Sequence, residues 1–351
     1  MKILFILQYD SFIRTLIPVI EELNNSVDTE IILYKKWKER NWINESIIKL
    51  LNNKEYSILG LSSILKKIKQ NYNLIVIGSV GGRFISKISK YIINNNLTTK
   101  LATGYVGALL NNYPKGFLKG LNRRAETDYI WSPGLLFTKK IIASKIIDRN
   151  KTYIDTTGLP QLDKLYKETK MQNIKKRTQI LFLEQPTFPK TKKERINLLF
   201  ELNLLAKEFS DCKLIIKPRF PEKIGHAHRL KYPLTELINR IDNKESNLIF
   251  SNKELSELFP QTKFSLTISS TAGIESLLLG IPTYFINNYC KGINKYGSDD
   301  FNSFNTVTSI NKIPDILSNK INYKLAKSFL CFDGNNTKRL TKGLLSVSIE
   351  F

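Results

Sequence analysis

The sequence predicts two α/β domains facing each other across a cleft, each a parallel sheet covered by helices on both faces. Three observations lead there. The chain has 351 residues, beyond the size at which one hydrophobic core usually keeps growing. Short apolar runs such as Ile3-Leu4-Phe5-Ile6-Leu7 and Ile180-Leu181-Phe182-Leu183 suit strands buried on both sides. Helix-length segments separate these runs, and the alternation starts over near residue 178. Such a pattern describes two Rossmann-like domains.

Taken in order, residues 3–8 form the first strand, and Ser11 to Leu23 follows as a helix with Phe12, Leu16, Val19, Ile20 and Leu23 on one side. Further strands are expected at Glu30–Tyr34, Leu74–Gly78, Lys100–Gly104, Tyr129–Ser132 and Tyr153–Thr156, with a helix around 84–95. A polar, Lys-rich linker lies near 160–177. The second series has strands at Gln179–Leu183, Lys213–Lys217, Asn247–Phe250, Phe264–Ile268 and Thr283–Ile286, and helices at Lys192–Phe209 and Gly273–Leu279. The expected division is 1–165, 178–325, and a helical segment 326–351 placed to cross back to the first domain.

Composition narrows the function classes. Hydrophobic residues at 42% and aromatics at 11% are too abundant for a disordered chain. The 54 Lys and Arg against 31 Asp and Glu give +23, which favours an anionic partner. Richness in Lys, Ile and Asn also follows from an AT-rich genome, which would inflate Lys without a functional reason. Cys212, Cys290 and Cys331 form no CxxC pair, and His226 and His228 are the only two histidines, so neither a disulfide framework nor a metal site is expected. The N-terminal apolar run breaks at Gln8 and Asp10, too short for a signal-peptide core. No apolar run approaches the roughly 20 residues that span a bilayer. A cytoplasmic protein is expected, with room for peripheral contact at the inner face of the cell membrane.

In open α/β sheets, ligands bind beyond the carboxyl ends of strands, where helix N-termini converge. The sharpest such segment is Ser269-Ser270-Thr271-Ala272-Gly273-Ile274-Glu275. Its hydroxyls and free amides suit a phosphate, and Glu275, read as first-turn, suits a donor ribose. Ordinary helix capping is the competing reading. Lys217-Pro218-Arg219 ends another strand and leads to His226-Ala227-His228-Arg229. There Arg219 offers a fork for phosphate, and either histidine can donate to a leaving oxygen. Asp10 and Ser11 follow the first strand; Asp10 suits a general base, and a plain helix cap is the alternative. Gly104-Tyr105-Val106-Gly107 and the pair Arg123-Arg124 suit an anionic acceptor or donor, with solvated charge as the alternative for the arginines. Gln185 ends the first strand of the second domain and lines the cleft opposite. Gly78-Ser79-Val80-Gly81-Gly82 resembles a phosphate loop but lacks the G-x-G-x-x-G spacing.

Together, Asp10-Ser11, Gly158-Leu159-Pro160, Glu184-Gln185-Pro186 with Pro189 and Arg195, Lys217-Pro218-Arg219, His226-Ala227-His228-Arg229, and Ser269 to Glu275 with Gly280 and Pro282 resemble a group of uncharacterised bacterial proteins described as glycosyltransferases of GT-B type. The chain is also similar, more broadly, to bacterial sialyltransferases, Kdo transferases and polymerases with CDP-linked donors. That resemblance implies a histidine, here His226 or His228, and a serine motif, here Ser269, Ser270 and Thr271, that hold the phosphate of a CMP or CDP donor. It implies Asp10 as the base. The chain departs from it in lacking a His-Pro pair, with Lys217-Pro218-Arg219 at the equivalent strand end.

The expectation is therefore a GT-B glycosyltransferase that needs no metal or cofactor. Its favoured reaction moves a nonulosonic or Kdo-type sugar from a CMP donor onto a bacterial surface glycan or lipid-linked glycan. Catalysis is assigned to Asp10, His226 and His228; donor binding to Gln185, Lys217, Arg219, Ser269, Ser270, Thr271 and Glu275; acceptor binding to Ser11, Tyr105, Arg123 and Arg124. The alternatives are a UDP- or GDP-sugar transferase, a nucleotide-sugar epimerase, a non-enzymatic sugar-binding partner, and a nucleic-acid-binding protein, for which no recognition motif is present. Aromatics near Lys35-Lys36-Trp37-Lys38 and Trp42 would give a contact with anionic lipid, or a solvated basic helix with its aromatics buried.

Overall fold

The computed structural model describes residues 1–35, 43, 45–79, 81–107, 114–170, 177–186, 188–219, 231–290, 304, 306–307, 309–316 and 323–349. The chain opens with β1 (Lys2–Leu7), α1 (Asp10–Leu23), β2 (Asp28–Tyr34), α2 (Glu45–Leu50), β3 (Ser57–Leu59) and α3 (Leu61–Ile68). It continues with β4 (Leu74–Gly78), α4 (Gly82–Asn94), β5 (Lys100–Gly104), α5 (Pro114–Asn122), β6 (Tyr129–Ser132), α6 (Leu135–Ala143) and β7 (Tyr153–Thr156). Helix α7 (Gln161–Lys170) occupies most of the segment expected as linker. The second series is β8 (Gln179–Leu183), α8 (Lys192–Glu208), β9 (Lys213–Lys217), α9 (Leu234–Leu237), β10 (Leu248–Phe250), α10 (Leu255–Leu258), β11 (Thr262–Thr267), α11 (Thr271–Leu278), β12 (Thr283–Ile286) and β13 (Thr306–Val307). The last helices are α12 (Ile313–Ile316), α13 (Tyr323–Phe329) and α14 (Asn336–Ile349).

Both sheets are wholly parallel, in the orders β3-β2-β1-β4-β5-β6-β7 and β10-β9-β8-β11-β12-β13. Each winds outward to one side, then returns to build the other. The reversals fall between β1 and β4 and between β8 and β11, where such sheets open a crevice for ligands. Two Rossmann-like domains, the GT-B arrangement, are therefore present.

The central strands are apolar throughout because both of their faces are covered. From β1, Ile3, Phe5 and Leu7 pack with Phe12, Ile13 and Leu16 of α1, while Leu4 and Ile6 pack with Ile64 of α3 and Ile85 and Ile88 of α4. From β8, Ile180 and Phe182 meet Leu198, Leu199 and Leu202 of α8, while Leu181 and Leu183 meet Ile274 and Leu277 of α11. Each such side chain, fully withdrawn from water, contributes about 1.5–3 kcal/mol.

The chain ends on the sheet where it began. Leu340, Leu344 and Val347 of α14 join the core formed by β1 and α1. Its N-terminus is held by Asp163 of α7, whose buried carboxylate accepts from the amides of Asn336 (3.0 Å) and Thr337 (2.7 Å) and from the Thr337 hydroxyl (2.8 Å). A carboxylate there also meets the positive end of the helix dipole. Gly343 lets α14 lie against β6, since any side-chain carbon at that position would collide with the Tyr129 phenol.

Candidate functional site

The crevice of the second sheet is built by the ends of β8, β9 and β11. Helix α11 starts at Thr271 rather than at Gly273, because Ser270 takes the N-cap position and its hydroxyl accepts from the Ala272 amide at 3.3 Å. That places Glu275 in the second turn of α11, a correction to its expected place in the first. The Ser269 hydroxyl exchanges hydrogen bonds with the Gln185 carboxamide, at 2.7 and 2.9 Å, tying β8 to β11. Ser269 thus positions the turn, while the hydroxyl protons of Ser270 and Thr271 make no hydrogen bond among the described residues. Both remain able to donate to an anion at the α11 N-terminus.

Beneath this turn lies a buried ion pair. Glu184 and Arg195 are 4% and 1% exposed and meet at 2.9 Å. Arg195 also donates to the carbonyls of Pro189, Gln185 and Pro186, and Glu184 accepts from the Leu234 amide at 3.4 Å. Burial pushes the Glu184 carboxyl up, with Arg195 opposing it. The pair fixes the backbone that carries Gln185 and, through a bond from the Arg219 amide to Glu184, the end of β9.

Facing it, the first sheet has its own crevice. Tyr9 precedes α1 with φ 70° and ψ 156°, a backbone region that a bulky L-residue rarely enters and that costs on the order of 1–3 kcal/mol. The turn makes Asp10 the first residue of α1, and Asp10 reaches across the cleft to Arg219 at 3.7 Å. Asp10 is therefore no N-cap, and among the described residues neither it nor Ser11 makes a side-chain cap bond at this helix. Arg14, one turn along α1, adds positive charge on the same side. Burial raises the Glu275 carboxyl, and both Arg219 and Arg14 oppose the rise. Burial lowers the Lys217 ammonium; Arg14 and Arg219 lower it further, against Glu254 and Glu257. Lys217 itself donates to the Asn252 carbonyl at 3.2 Å.

The remaining sequence candidates gather at the end of β4 and β5. Ser79 donates to the Gln8 carboxamide oxygen at 2.6 Å, which ties β4 to β1 as Ser269 and Gln185 tie β11 to β8. Arg124 is only 3% exposed, so it is not solvated charge. It donates to the carbonyls of Gly120 (3.0 Å) and Ser79 (3.3 Å) and lies 4.6 Å from the centre of the Tyr105 ring. Arg123 lies across Gly82, where an added methyl carbon would fall 2.8 Å from its Cδ. The two crevices adjoin, for a methyl on Gly107 of the β5 loop would lie 3.9 Å from Thr271 Oγ1.

Residues 3–299 match the family described as "Putative glycosyltransferase (DUF6716)". The chain belongs to this family. No curated protein sequence matches it. The fold is similar to that of UDP-GlcNAc 2-epimerase from Methanocaldococcus jannaschii, solved with UDP-GlcNAc and UDP, at TM-score 0.66 and 16% identity over 99% of this chain and 100% of the other. The Neisseria meningitidis UDP-GlcNAc 2-epimerase bound to UDP-GlcNAc is similar at TM-score 0.66 and 13% identity, over 99% and 100%. The wall teichoic acid polymerase TagF, soaked with CDPG, is similar at TM-score 0.61 and 15% identity, over 99% and 89%. At these identities the likeness is one of fold.

In this glycosyltransferase Asp10 and Ser11 open α1 after β1, and Tyr105 follows β5 with its ring 4.5 Å from that of Phe137. Arg123 and Arg124 lie beside Gly82 and Ser79. Gln185, Lys217, Arg219, Ser269, Ser270, Thr271 and Glu275 lie at the ends of β8, β9 and β11 or in α11. His226 and His228 lie outside the described residues, as do Lys36-Trp37-Lys38 and Trp42. Sequence reasoning missed Arg14, although a place one helical turn after Asp10 puts it on the same face. It also treated the Ser79–Gly82 turn and the Arg123-Arg124 pair as separate features. A cavity of about 300 Å³ lined by Ser89, Lys100, Glu126 and Asp128 sits at the opposite, amino-terminal edge of the first sheet, away from these residues. No described helix is long and apolar enough to cross a membrane.

Proposed function

We propose that the protein transfers a sugar from a nucleotide-linked donor held by the second domain to a hydroxyl of an acceptor held by the first. The observation behind this reading is the Asp10–Arg219 contact of 3.7 Å, which brings a carboxylate of one crevice to a guanidinium of the other. The donor phosphate takes up the Arg219 guanidinium, the Ser270 and Thr271 hydroxyls and the α11 amides, with Lys217 and Arg14 adding positive potential. Arg219 then exchanges Asp10 for the phosphate, and Asp10 becomes free to act as a base.

The acceptor oxygen attacks the anomeric carbon, and its proton passes to the Asp10 carboxylate. The bond from anomeric carbon to phosphate oxygen breaks, its electron pair leaving on the nucleotide, where Arg219 and the hydroxyls stabilise the new charge. Glu275 receives the ribose hydroxyls. His226 and His228 are retained as further donors to the leaving phosphate. Closure of the cleft keeps water from competing with the acceptor.

The favoured donor is CMP-linked, a nonulosonic or Kdo-type acid, on the similarity of Ser269-Ser270-Thr271 to the serine motif of CMP-sugar transferases. A UDP- or GDP-linked donor is the second reading, favoured by the fold likeness to epimerases solved with UDP-GlcNAc. The acceptor is a bacterial surface or lipid-linked glycan, and the excess of Lys draws the protein to anionic lipid from the cytoplasmic side.

Thermal-shift titration with CMP, CDP, UDP and GDP identifies the nucleotide. With it in hand, Asp10→Asn should lower transfer on the order of 10²–10⁴-fold while retaining nucleotide binding. Arg219→Ala should lose both. Full turnover in either variant excludes these roles, and sugar conversion without any acceptor favours an epimerase.

A further inference from the structure

We propose that the outer face of α6, with the basic turn that follows it, is the surface by which the protein sits on an anionic bilayer. The proposal rests on the reading that the acceptor is met at a charged membrane, and it names the face that touches the lipid.

Helix α6 is apolar on two sides. Phe137 and Ile141 point inward and share a core with Leu121, Ile130 and Ile147, and Leu136 packs on the core that contains Phe329 of α13. Leu135 and Ile142 have no such role. They lie two turns apart on the opposite side, 50% and 38% exposed, with the exposed Lys139 between them. A single apolar side chain in water is ordinary, whereas a pair on one ridge asks what it meets.

The charge around the ridge answers this. Among the described residues only α8 carries another such helical pair, Phe200 and Leu204. There Lys192, Lys193 and Lys207 are matched by Glu194, Glu201 and Glu208. From Leu135 to Lys151, by contrast, Lys139, Lys140, Lys145, Arg149 and Lys151 face one acid, Asp148. The Asp148 carboxylate is itself engaged, accepting from the Asn150 amide at 3.0 Å. Lys139, Lys145, Arg149 and Lys151 are exposed and form no ion pair among the described residues. The negative end of the α6 dipole accounts for Lys140 in the last turn and for Lys145 just beyond it. It does not account for Arg149 and Lys151. Ile147 shares the core of Phe137 and Ile141, which holds this basic turn against the same edge of the domain.

A polyanion in water would use the cations and leave Leu135 and Ile142 without a partner. A bilayer uses both: the apolar tips enter the acyl boundary while the ammonium and guanidinium groups reach the headgroup phosphates. The position also suits an acceptor carried on lipid. Helix α6 starts directly beyond the carboxyl end of β6, and Asp10 lies beyond the carboxyl end of β1 in the same parallel sheet. The Leu135 end of the ridge is therefore on the side of the domain that opens to the cleft.

The test is sedimentation of the full chain with vesicles of phosphatidylcholine alone and of phosphatidylcholine with phosphatidylglycerol. It is repeated for Leu135→Ser/Ile142→Ser, for Lys139→Glu/Arg149→Glu, and for the α8 pair Phe200→Ser/Leu204→Ser. All six side chains are exposed, and unchanged far-UV circular dichroism and nucleotide thermal shift verify that each variant folds. The expected result is wild-type binding to the anionic vesicles alone. It should weaken on the order of tenfold or more in each α6 variant and persist in the α8 variant. Loss in the charge variant with no change in Leu135→Ser/Ile142→Ser means that only charge is read, and overturns the surface. Equal loss in the α8 variant overturns it as well. Wild-type binding that no α6 variant weakens removes this surface and leaves the lipid reading standing, whereas absence of wild-type binding removes both.

Discussion

Glu275 shows how one side chain can be placed for a ligand at a cost to the fold. It is half-buried in α11 and makes no side-chain hydrogen bond among the described residues. Burial raises its carboxyl above the ordinary glutamate value of about 4.3, despite Arg219 and Arg14. Between that value and the raised one, the folded chain holds more of the proton than the unfolded chain does. Stability should therefore fall as pH rises through this window. Glu275→Gln cannot ionise, so its stability relative to the wild type should grow from about pH 4 upward and level off once Glu275 is fully charged. Chemical denaturation of both proteins from about pH 4 to 8 reads this directly; a difference that stays constant with pH refutes it.

At the scale of elements, the two crevices are made in the same way, by a Gln–Ser bond across the point where strand order reverses. The second has the Glu184–Arg195 pair beneath it, which fixes three loop carbonyls through one guanidinium. Arg195→Ala would leave Glu184 charged and buried and should cost about 3–5 kcal/mol, measured as a fall in the denaturation midpoint. Loss of under about 1 kcal/mol would mean that Glu184 takes up its proton without penalty. Much of this architecture was legible in the sequence, because buried parallel strands such as Leu74–Gly78 and Gln179–Leu183 are apolar without interruption. Strands β3 and β13 escaped notice; β3 is three mostly exposed residues and β13 only two. The partners of Arg124 and the ties of Gln8 and Gln185 were also hidden, since each joins strand ends or loops distant in sequence. No local pattern encodes such a meeting.

At the scale of the whole molecule, the docking of α14 on the first sheet is the most exposed dependence. Gly343→Val would drive a branched side chain into the Tyr129 phenol and should cost about 1–3 kcal/mol or more. Limited proteolysis should then cleave near the C-terminus faster than in the wild type; unchanged protection would mean that α14 can shift without loss. The same helix has a mechanical consequence. The polypeptide passes between the two domains twice, once through α7, which packs on α1, α14 and α10, and once between α13, which packs on α11 and α6, and α14. These two crossings run side by side, since Asp163 of α7 accepts from the Asn336 and Thr337 amides and Asn336 donates to the Leu159 carbonyl. The domains are thus joined by one doubled connection rather than by two spaced tethers. Bending at such a doubled connection would widen or narrow the gap between Asp10 and Arg219, and cutting the Asp163–Asn336 tie would loosen both crossings together.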